Sequence, residues 1–378
     1  MAAKKILLLG AGHVGSLIAY DLKLNGHEVS AVDIDKEALL NLSQKGIHTY
    51  HDDFTDSSVL QERIKDMDLI VGATPGNLGF EIMKNVLEKG KNMVDISFCP
   101  EDYMELDSLA KKNNCTLIPD IGVAPGMCNV ILGHHNAGMK VNSYKCLVGG
   151  LPLKREWPLE YKASWSPADV IEEYSRPARL KENGRIISKP ALSDVELVNI
   201  DPVGSLEEFN SDGLRSLLFT MTEIPNMVEK TLRYPGTVEY LKVLKHLGYF
   251  SNEEVIIGGK KLKPAELSVK LLEKNWKRKK GEKEFTLMRV IINGMEQDKK
   301  VEYSYDLYDE YDEETDTLSM ARTTGYTCVA AAELIMEGFN EKGVIPPEYL
   351  GKSEKNYEFI FNYLKKKKII NKLTKKDL

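Results

Sequence analysis

The stretch Lys5-Ile6-Leu7-Leu8-Leu9-Gly10-Ala11-Gly12-His13-Val14-Gly15, with Asp33 closing the next apolar run, has the residue types and spacing to hold a dinucleotide. Gly10 permits a tight turn out of a buried strand, and Gly12 lets backbone approach a pyrophosphate. Gly15 lets the following helix pack on the sheet, with its N-terminus toward the phosphate charge. Gly10, Gly12, His13, Val14 and Gly15 are therefore expected cofactor contacts, and Asp33 is placed to accept hydrogen bonds from the adenosine ribose. No Arg or Lys directly follows Asp33. A carboxylate repels a 2′-phosphate, so NAD is expected in preference to NADP. The competing reading is a glycine-rich turn of another α/β protein, with Asp33 capping the helix near Lys36. It loses weight because strand, spacing and acid occur together.

Strand-like runs at Ile6–Leu9, Glu28–Val32, His48–Tyr50, Leu69–Val71, Met93–Ile96 and Thr116–Ile118 alternate with helical stretches. Six strands in this rhythm predict an α/β fold, a Rossmann doubly wound parallel sheet, whose ligands lie beyond the carboxyl ends of the strands. That rule adds Asp53, Ala73, Thr74, Pro75, Asp95 and Ile96 to the expected cofactor contacts, and it puts Asp120 at the same edge. After Gly122-Val123-Ala124-Pro125-Gly126 the pattern changes. Runs at Tyr144–Val148, Phe285–Ile292 and Val301–Tyr305, and a two-glycine hairpin over Val255 to Leu262, predict a second, mixed α+β domain on a largely antiparallel sheet. Met320 to Gly338 reads as a helix rich in small residues, which permit close packing, and it is expected to lie near the first domain. The expected division is 1–126 for the nucleotide, 127–330 for substrate binding and dimerisation, and 331–378 as C-terminal helices packing back on the first domain.

At 378 residues the chain is long enough for two cores, and its formal charge of −6 gives no general reason to expect nucleic acid. The Lys365 to Lys368 run and Lys375-Lys376 read as a solvated helix face. Five scattered cysteines, Cys99, Cys115, Cys128, Cys146 and Cys328, argue against a zinc site or a disulfide framework and fit a reducing cytoplasm. Neither a membrane span nor a metal site is expected.

Pro119-Asp120-Ile121-Gly122-Val123-Ala124-Pro125-Gly126-Met127, Gly149-Gly150-Leu151-Pro152, Leu159-Glu160-Tyr161-Lys162, Thr231-Leu232-Arg233-Tyr234 and Met320-Ala321-Arg322-Thr323-Thr324 resemble, in consistent order, the saccharopine dehydrogenase-like family. Within it the chain is most similar to lysine 6-dehydrogenases. The resemblance implies a nicotinamide-dependent homodimeric enzyme working on a carbon–nitrogen bond of an amino acid. The saccharopine reductases carry an acid before Pro-Gly, a cysteine before Gly-Gly-Leu-Pro and a tyrosine after the fifth strand, where this chain has Ala124, Val148 and Phe98. Saccharopine brings extra carboxylates, and burying charge without partners costs several kcal/mol, roughly. The expectation is therefore NAD-dependent oxidation of the lysine ε-amine to the semialdehyde. A reductase joining an amine and a carbonyl, of the saccharopine or carboxynorspermidine type, is the alternative, and a non-catalytic nucleotide-binding regulator is the rival of another class.

Hydride transfer also needs a base for the proton on nitrogen, held within hydrogen-bond reach. Asp95 and Asp120 are the carboxylates best placed for it, and loop bonding or helix capping is their plainer role. An amino-acid substrate presents a carboxylate, which a guanidinium grips in bidentate fashion. Arg233 is the first choice for that clamp and Arg322 the second. Lys162, beside Tyr161 and Trp165, is a further candidate anchor or proton carrier. Each cation could instead sit in a structural ion pair. His134 and His135 are adjacent on a helix, point different ways, and are assigned no role.

Overall fold

Runs of aliphatic residues too continuous for a one-sided strand make a sheet buried on both faces. β1 (Lys5–Leu9), β2 (Glu28–Asp33), β3 (His48–His51), β4 (Leu69–Gly72), β5 (Asn92–Asp95) and β6 (Thr116–Ile118) are joined by the short late strand β17 (Gly343–Val344). All seven pair parallel in the order β17-β6-β5-β4-β1-β2-β3, the doubly wound arrangement. The crossovers carry α1 (His13–Leu24), α2 (Lys36–Gln44), α3 (Ser57–Ile64), α4 (Gly76–Glu88) and α5 (Asp107–Lys112). Ile6, Leu7, Leu8 and Leu9 are fully buried. The computed structural model describes residues 3–163, 166–276, 278–279 and 281–378, so Trp165 lies outside the described residues.

The described chain divides into two units. One is Met1–Met139 with Met320–Ile370, and the other is Lys140–Ser319 with Asn371–Leu378. The first unit thus extends past residue 126, because α6 (Met127–Gly138) packs on α12 (Pro347–Gly351). A Cβ on Gly133 would lie 2.0 Å from the Glu348 carbonyl oxygen, and Asn129 Nδ2 donates to Glu348 Oε2 at 3.1 Å. It also takes in α11 (Ser319–Met336) from Met320 onward and α13 (Glu354–Lys366). A Cβ on Gly325 would lie 2.6 Å from Leu17 Cδ2 of α1, so the two helices approach closely here.

The second unit is a mixed sheet. β7 (Lys140–Pro152), β8 (Ala178–Glu182), β9 (Arg185–Lys189), β10 (Glu196–Ile200), β11 (Gly204–Asn210), β12 (Asn226–Arg233), β15 (Glu284–Glu296), β16 (Lys299–Glu310) and β18 (Asn371–Asp377) build it. The main path runs β10-β11-β12-β7-β15-β16-β18, with β7 and β12 parallel and the other pairs antiparallel. Its helices are α7 (Pro167–Ser175), α8 (Leu217–Thr220), α9 (Thr237–His246) and α10 (Pro264–Trp276), and β13 (Val255–Ile257) with β14 (Lys260–Leu262) forms the two-glycine hairpin. Tyr174, Phe209, Trp276 and Phe285 fill its core.

The lysine-rich C-terminus differs from a plain helix face. α13 ends at Lys366, Lys367 pairs with Asp21, and Lys375 and Lys376 lie on β18, paired with Glu296 of β15 and Glu302 of β16. All five cysteines are buried and unbridged. Among the described residues no group of three His, Cys, Asp or Glu could hold a metal ion, and no helix is long and apolar enough to cross a membrane.

Candidate active site

At the end of β1 the chain turns at Gly10 with φ of 97°, a left-handed conformation that glycine adopts without strain. A Cβ there would also lie 2.3 Å from the Ala73 carbonyl oxygen, so the loops after β1 and β4 are pressed together. Gly12 caps α1 without a side-chain acceptor, no acid lies in the first turn, and nothing stands within 4 Å of where a Gly12 Cβ would be. This is an anion site in form: first-turn amides lack intrahelical acceptors, the helix dipole favours negative charge, and the space before them is open. Asp33, at the end of β2, accepts from the Ala11 amide at 2.5 Å and the Asp35 amide at 2.8 Å, which fixes its carboxylate against the glycine loop. The loop therefore has the form to take the diphosphate and ribose of a nicotinamide dinucleotide, which the amides of Gly12 to Gly15 and Asp33 could hold. Asp53 is exposed after β3 and is taken up by Thr55, whose hydroxyl and amide hold its carboxyl below the ordinary value. It caps a turn there.

Asp95 is wholly buried at the end of β5. Its Oδ1 accepts from the Ser97 amide at 2.7 Å and its Oδ2 from the Ser97 hydroxyl at 3.2 Å, while Ser97 Oγ lies 3.0 Å from Thr74 Oγ1 in the loop after β4. Burial pushes the Asp95 carboxyl up to about 7, against the hydrogen bonds from Ser97, and the nearby Asp120 adds to the rise. A carboxyl that changes charge near neutrality is suited to proton exchange. Asp120 follows β6, is 2% exposed and adopts φ of 50°, a left-handed conformation that Asp takes more readily than most residues. Ala73 and Ile96 are half-buried and Pro75 is exposed at the same strand ends. This edge therefore brings together Thr74, Asp95 and Asp120 as expected, and adds Ser97, which sequence reasoning missed. The signal was the Asp-x-Ser spacing at a strand end, the pattern of an Asx turn.

The cations proposed as clamps are occupied. Arg233, on β12, is 2% exposed. Its Nη2 donates to Glu173 Oε2 at 2.7 Å, its Nε to the Tyr174 hydroxyl at 2.9 Å and its Nη1 to the Leu232 carbonyl at 2.9 Å, and its guanidinium lies 4.4 Å from the Tyr161 ring centroid. Arg233 is thus a buried guanidinium already paired with the Glu173 carboxylate and set against the rings of Tyr161 and Tyr174 inside the second unit. Tyr161 belongs to that unit's core, edge-on to Trp276 at 5.3 Å. Lys162 Nζ donates to the Asn275 carbonyl at 3.2 Å and lies 3.4 Å from Glu156 Oε2. Arg322, in the first unit, is 6% exposed and donates to the Lys367 carbonyl at 3.2 Å, where it satisfies the C-terminus of α13. His134 stacks on Tyr357 at 3.9 Å and lies 3.3 Å from Glu354 Oε2. Glu173 left no signal in the sequence, because its partner Arg233 is brought to it only by the fold.

Two family models cover almost the whole chain. The saccharopine dehydrogenase NADP binding domain matches residues 6–118, and the saccharopine dehydrogenase C-terminal domain matches residues 122–370. The chain belongs to the saccharopine dehydrogenase family. Among curated members, saccharopine dehydrogenase (NADP(+), L-glutamate-forming) of Pyricularia oryzae is 27% identical over 278 residues, 67% of this chain and 60% of that protein. Mitochondrial alpha-aminoadipic semialdehyde synthase of Mus musculus is 27% identical over 270 residues, 66% of this chain and 29% of that protein. The match therefore spans less than two thirds of either relative, and less than a third of the longer one. Among solved structures, apo saccharopine dehydrogenase (L-Glu forming) of Saccharomyces cerevisiae superposes with a TM-score of 0.80 at 20% identity, covering 99% of this chain and 100% of that one, and so shares the fold. The first unit of this saccharopine dehydrogenase family member is a pyridine-nucleotide-binding fold, but the expected preference for NAD gains no support from relatives named for NADP(+).

Proposed function

We propose that the chain is a nicotinamide-dependent oxidoreductase acting on the CH–NH bond of a saccharopine-type amino acid, joining an amine and a carbonyl with reduction or running in reverse. The observation that carries this reading is the pair of family matches over residues 6–118 and 122–370, on a first unit whose glycine loop and Asp33 suit the dinucleotide. The relatives' names carry saccharopine and its semialdehyde relation, which favours the amine-joining chemistry over deamination of free lysine. When bound, the nicotinamide supplies the hydride or accepts it. The chain's own part is to seat the diphosphate on the α1 amides, to orient the ribose through Asp33, and to hold a proton at the Asp95 carboxyl near the strand ends.

A second reading keeps lysine as substrate. It is favoured by the apolar side chains at Phe98, Ala124 and Val148, since Val148 is only 8% exposed and offers no partner to a second amino-acid end. An absorbance assay at 340 nm with saccharopine and with lysine, each against NADP(+) and NAD, tests the order. Turnover of saccharopine is expected. Turnover of lysine alone replaces the first reading by the second, and no turnover of either removes both.

A further inference from the structure

The buried polar groups at the ends of β4 and β5 form one hydrogen-bonded line. Thr74 Oγ1 and Ser97 Oγ are 3.0 Å apart, and Ser97 Oγ donates to Asp95 Oδ2 at 3.2 Å. All three residues are buried, Asp95 fully and Thr74 least, and they sit just beyond the ends of β4 and β5, where such sheets take their ligands. An Asx turn needs only Asp95 Oδ1 and the Ser97 amide, 2.7 Å apart. The second carboxylate oxygen, the Ser97 hydroxyl and Thr74 add nothing to that turn. Space for them is cut by two glycines: a Cβ on Gly72 would lie 1.8 Å from Asp95 Oδ2, and one on Gly79 would lie 2.6 Å from Ser97 Cβ.

We propose that Thr74, Ser97 and Asp95 form a proton relay between the reacting nitrogen and the buried carboxyl, with Thr74 Oγ1 as its outer end. The relay rests on the CH–NH oxidoreductase reading above. In the oxidative direction hydride leaves carbon for the nicotinamide and the C–N single bond becomes C=N. The proton on nitrogen passes to Thr74 Oγ1, the Thr74 hydroxyl proton to Ser97 Oγ, and the Ser97 proton to Asp95 Oδ2. Reduction reverses each transfer, so protons and electrons balance. Two other titratable groups lie near Asp95: Asp120 at the end of β6, which acts on it, and Cys328 of α11, on which Asp95 acts. Burial, with Asp95 adding, pushes the Cys328 thiol well above its ordinary range, so it stays neutral. Asp120 reinforces the rise at Asp95 by charge repulsion.

The test measures kcat and KM for saccharopine oxidation by NADP(+) across about pH 5.5 to 9.5 with the full chain, in the wild type and in Thr74→Val, Ser97→Ala and Thr74→Ser. Wild-type kcat should rise with pH through an inflection near neutrality, because Asp95 must be ionised to accept the proton. Thr74→Val and Ser97→Ala should lower kcat by about 10- to 100-fold and remove that inflection, with KM within about threefold, while Thr74→Ser restores most of the rate. The Thr74 pair, at the more exposed end, keeps the test valid if Ser97→Ala fails to fold. If the wild type turns over and Thr74→Val retains both rate and inflection, or Thr74→Ser is as impaired as Thr74→Val, the relay is overturned alone. A wild type with no turnover of any CH–NH amino acid overturns the functional reading beneath it.

Discussion

Replacing Arg233 by methionine keeps much of the side chain's volume, removes its charge, and separates a structural guanidinium from a substrate clamp. The change deletes the 2.7 Å pair with Glu173, the 2.9 Å bond to the Tyr174 hydroxyl and the stacking on Tyr161, and leaves Glu173 stranded with only the Thr231 hydroxyl at 3.0 Å. Removing one partner of a buried pair costs about 3–5 kcal/mol. The Glu173 side chain keeps 15% exposure against 3% for Arg233, which places the cost toward the lower end, about 3 kcal/mol. For a unit of this size each kcal/mol moves Tm by roughly 2–4 °C, so the second unit should melt about 6–12 °C lower. Adding Glu173→Gln to Arg233→Met should recover much of the loss, since no unpaired charge then remains. Differential scanning calorimetry reads the melting, and steady-state kinetics at a permissive temperature should show KM for the amino acid within about twofold of wild type. An unchanged Tm together with a KM raised about tenfold or more would refute this reasoning and return Arg233 to the substrate.

Glu229 is buried on β12 beneath Ser211, and burial pushes its carboxyl up to about 8 against the Ser211 hydrogen bond, with Glu173 and Asp212 adding to the rise. The folded value lies above the ordinary 4.5, so the stability that the bound proton contributes is fully present below that value and is lost as pH rises toward 8. Glu229→Gln should therefore melt several degrees above wild type at about pH 9 and close to it at about pH 5; superimposable melting curves at both pH values would sink the assignment. Gly72→Ala would place a methyl 1.8 Å from Asp95 Oδ2 and 2.6 Å from Met93 Cε, and should yield little folded protein or abolish turnover, as read by circular dichroism and the absorbance assay. Asp33→Ala removes the acceptor of the Ala11 and Asp35 amides and should weaken NADH binding about tenfold in fluorescence titration while sparing NADPH. Equal losses for both nucleotides would mean that Asp33 shapes the loop and does not choose between them.

The nucleotide-binding sheet was legible because its signals are local. Ile6 to Leu9 is a run that only a strand buried on both faces needs, Gly10 to Gly15 carry a turn whose backbone demands are written in residue types, and most of the parallel strands repeat that apolar beat, although β3 is polar and the two-residue β17 gave no signal. Asp95, Thr74 and Asp120 were legible for the same reason, since the carboxyl end of a strand can be counted along the chain. What the sequence left undecided depends on partners far away in it. Lys375 and Lys376 look like any solvated lysines until β18 pairs with β16, and α6 joins the first unit through a packing surface that carries no punctuation, whereas the small residues of α11 did mark it for close packing there. Arg233 has the chemistry of a carboxylate clamp. Only the tertiary structure, by bringing Glu173 from α7 and Tyr161 from the preceding loop around it, decides that the carboxylate it holds is the protein's own. The same holds for Asp95, whose type says that it can carry a proton; its complete burial over Gly72 is what pushes its carboxyl up, against the hydrogen bonds from Ser97, because desolvation is a property of everything packed around a charge and not of the residue that bears it.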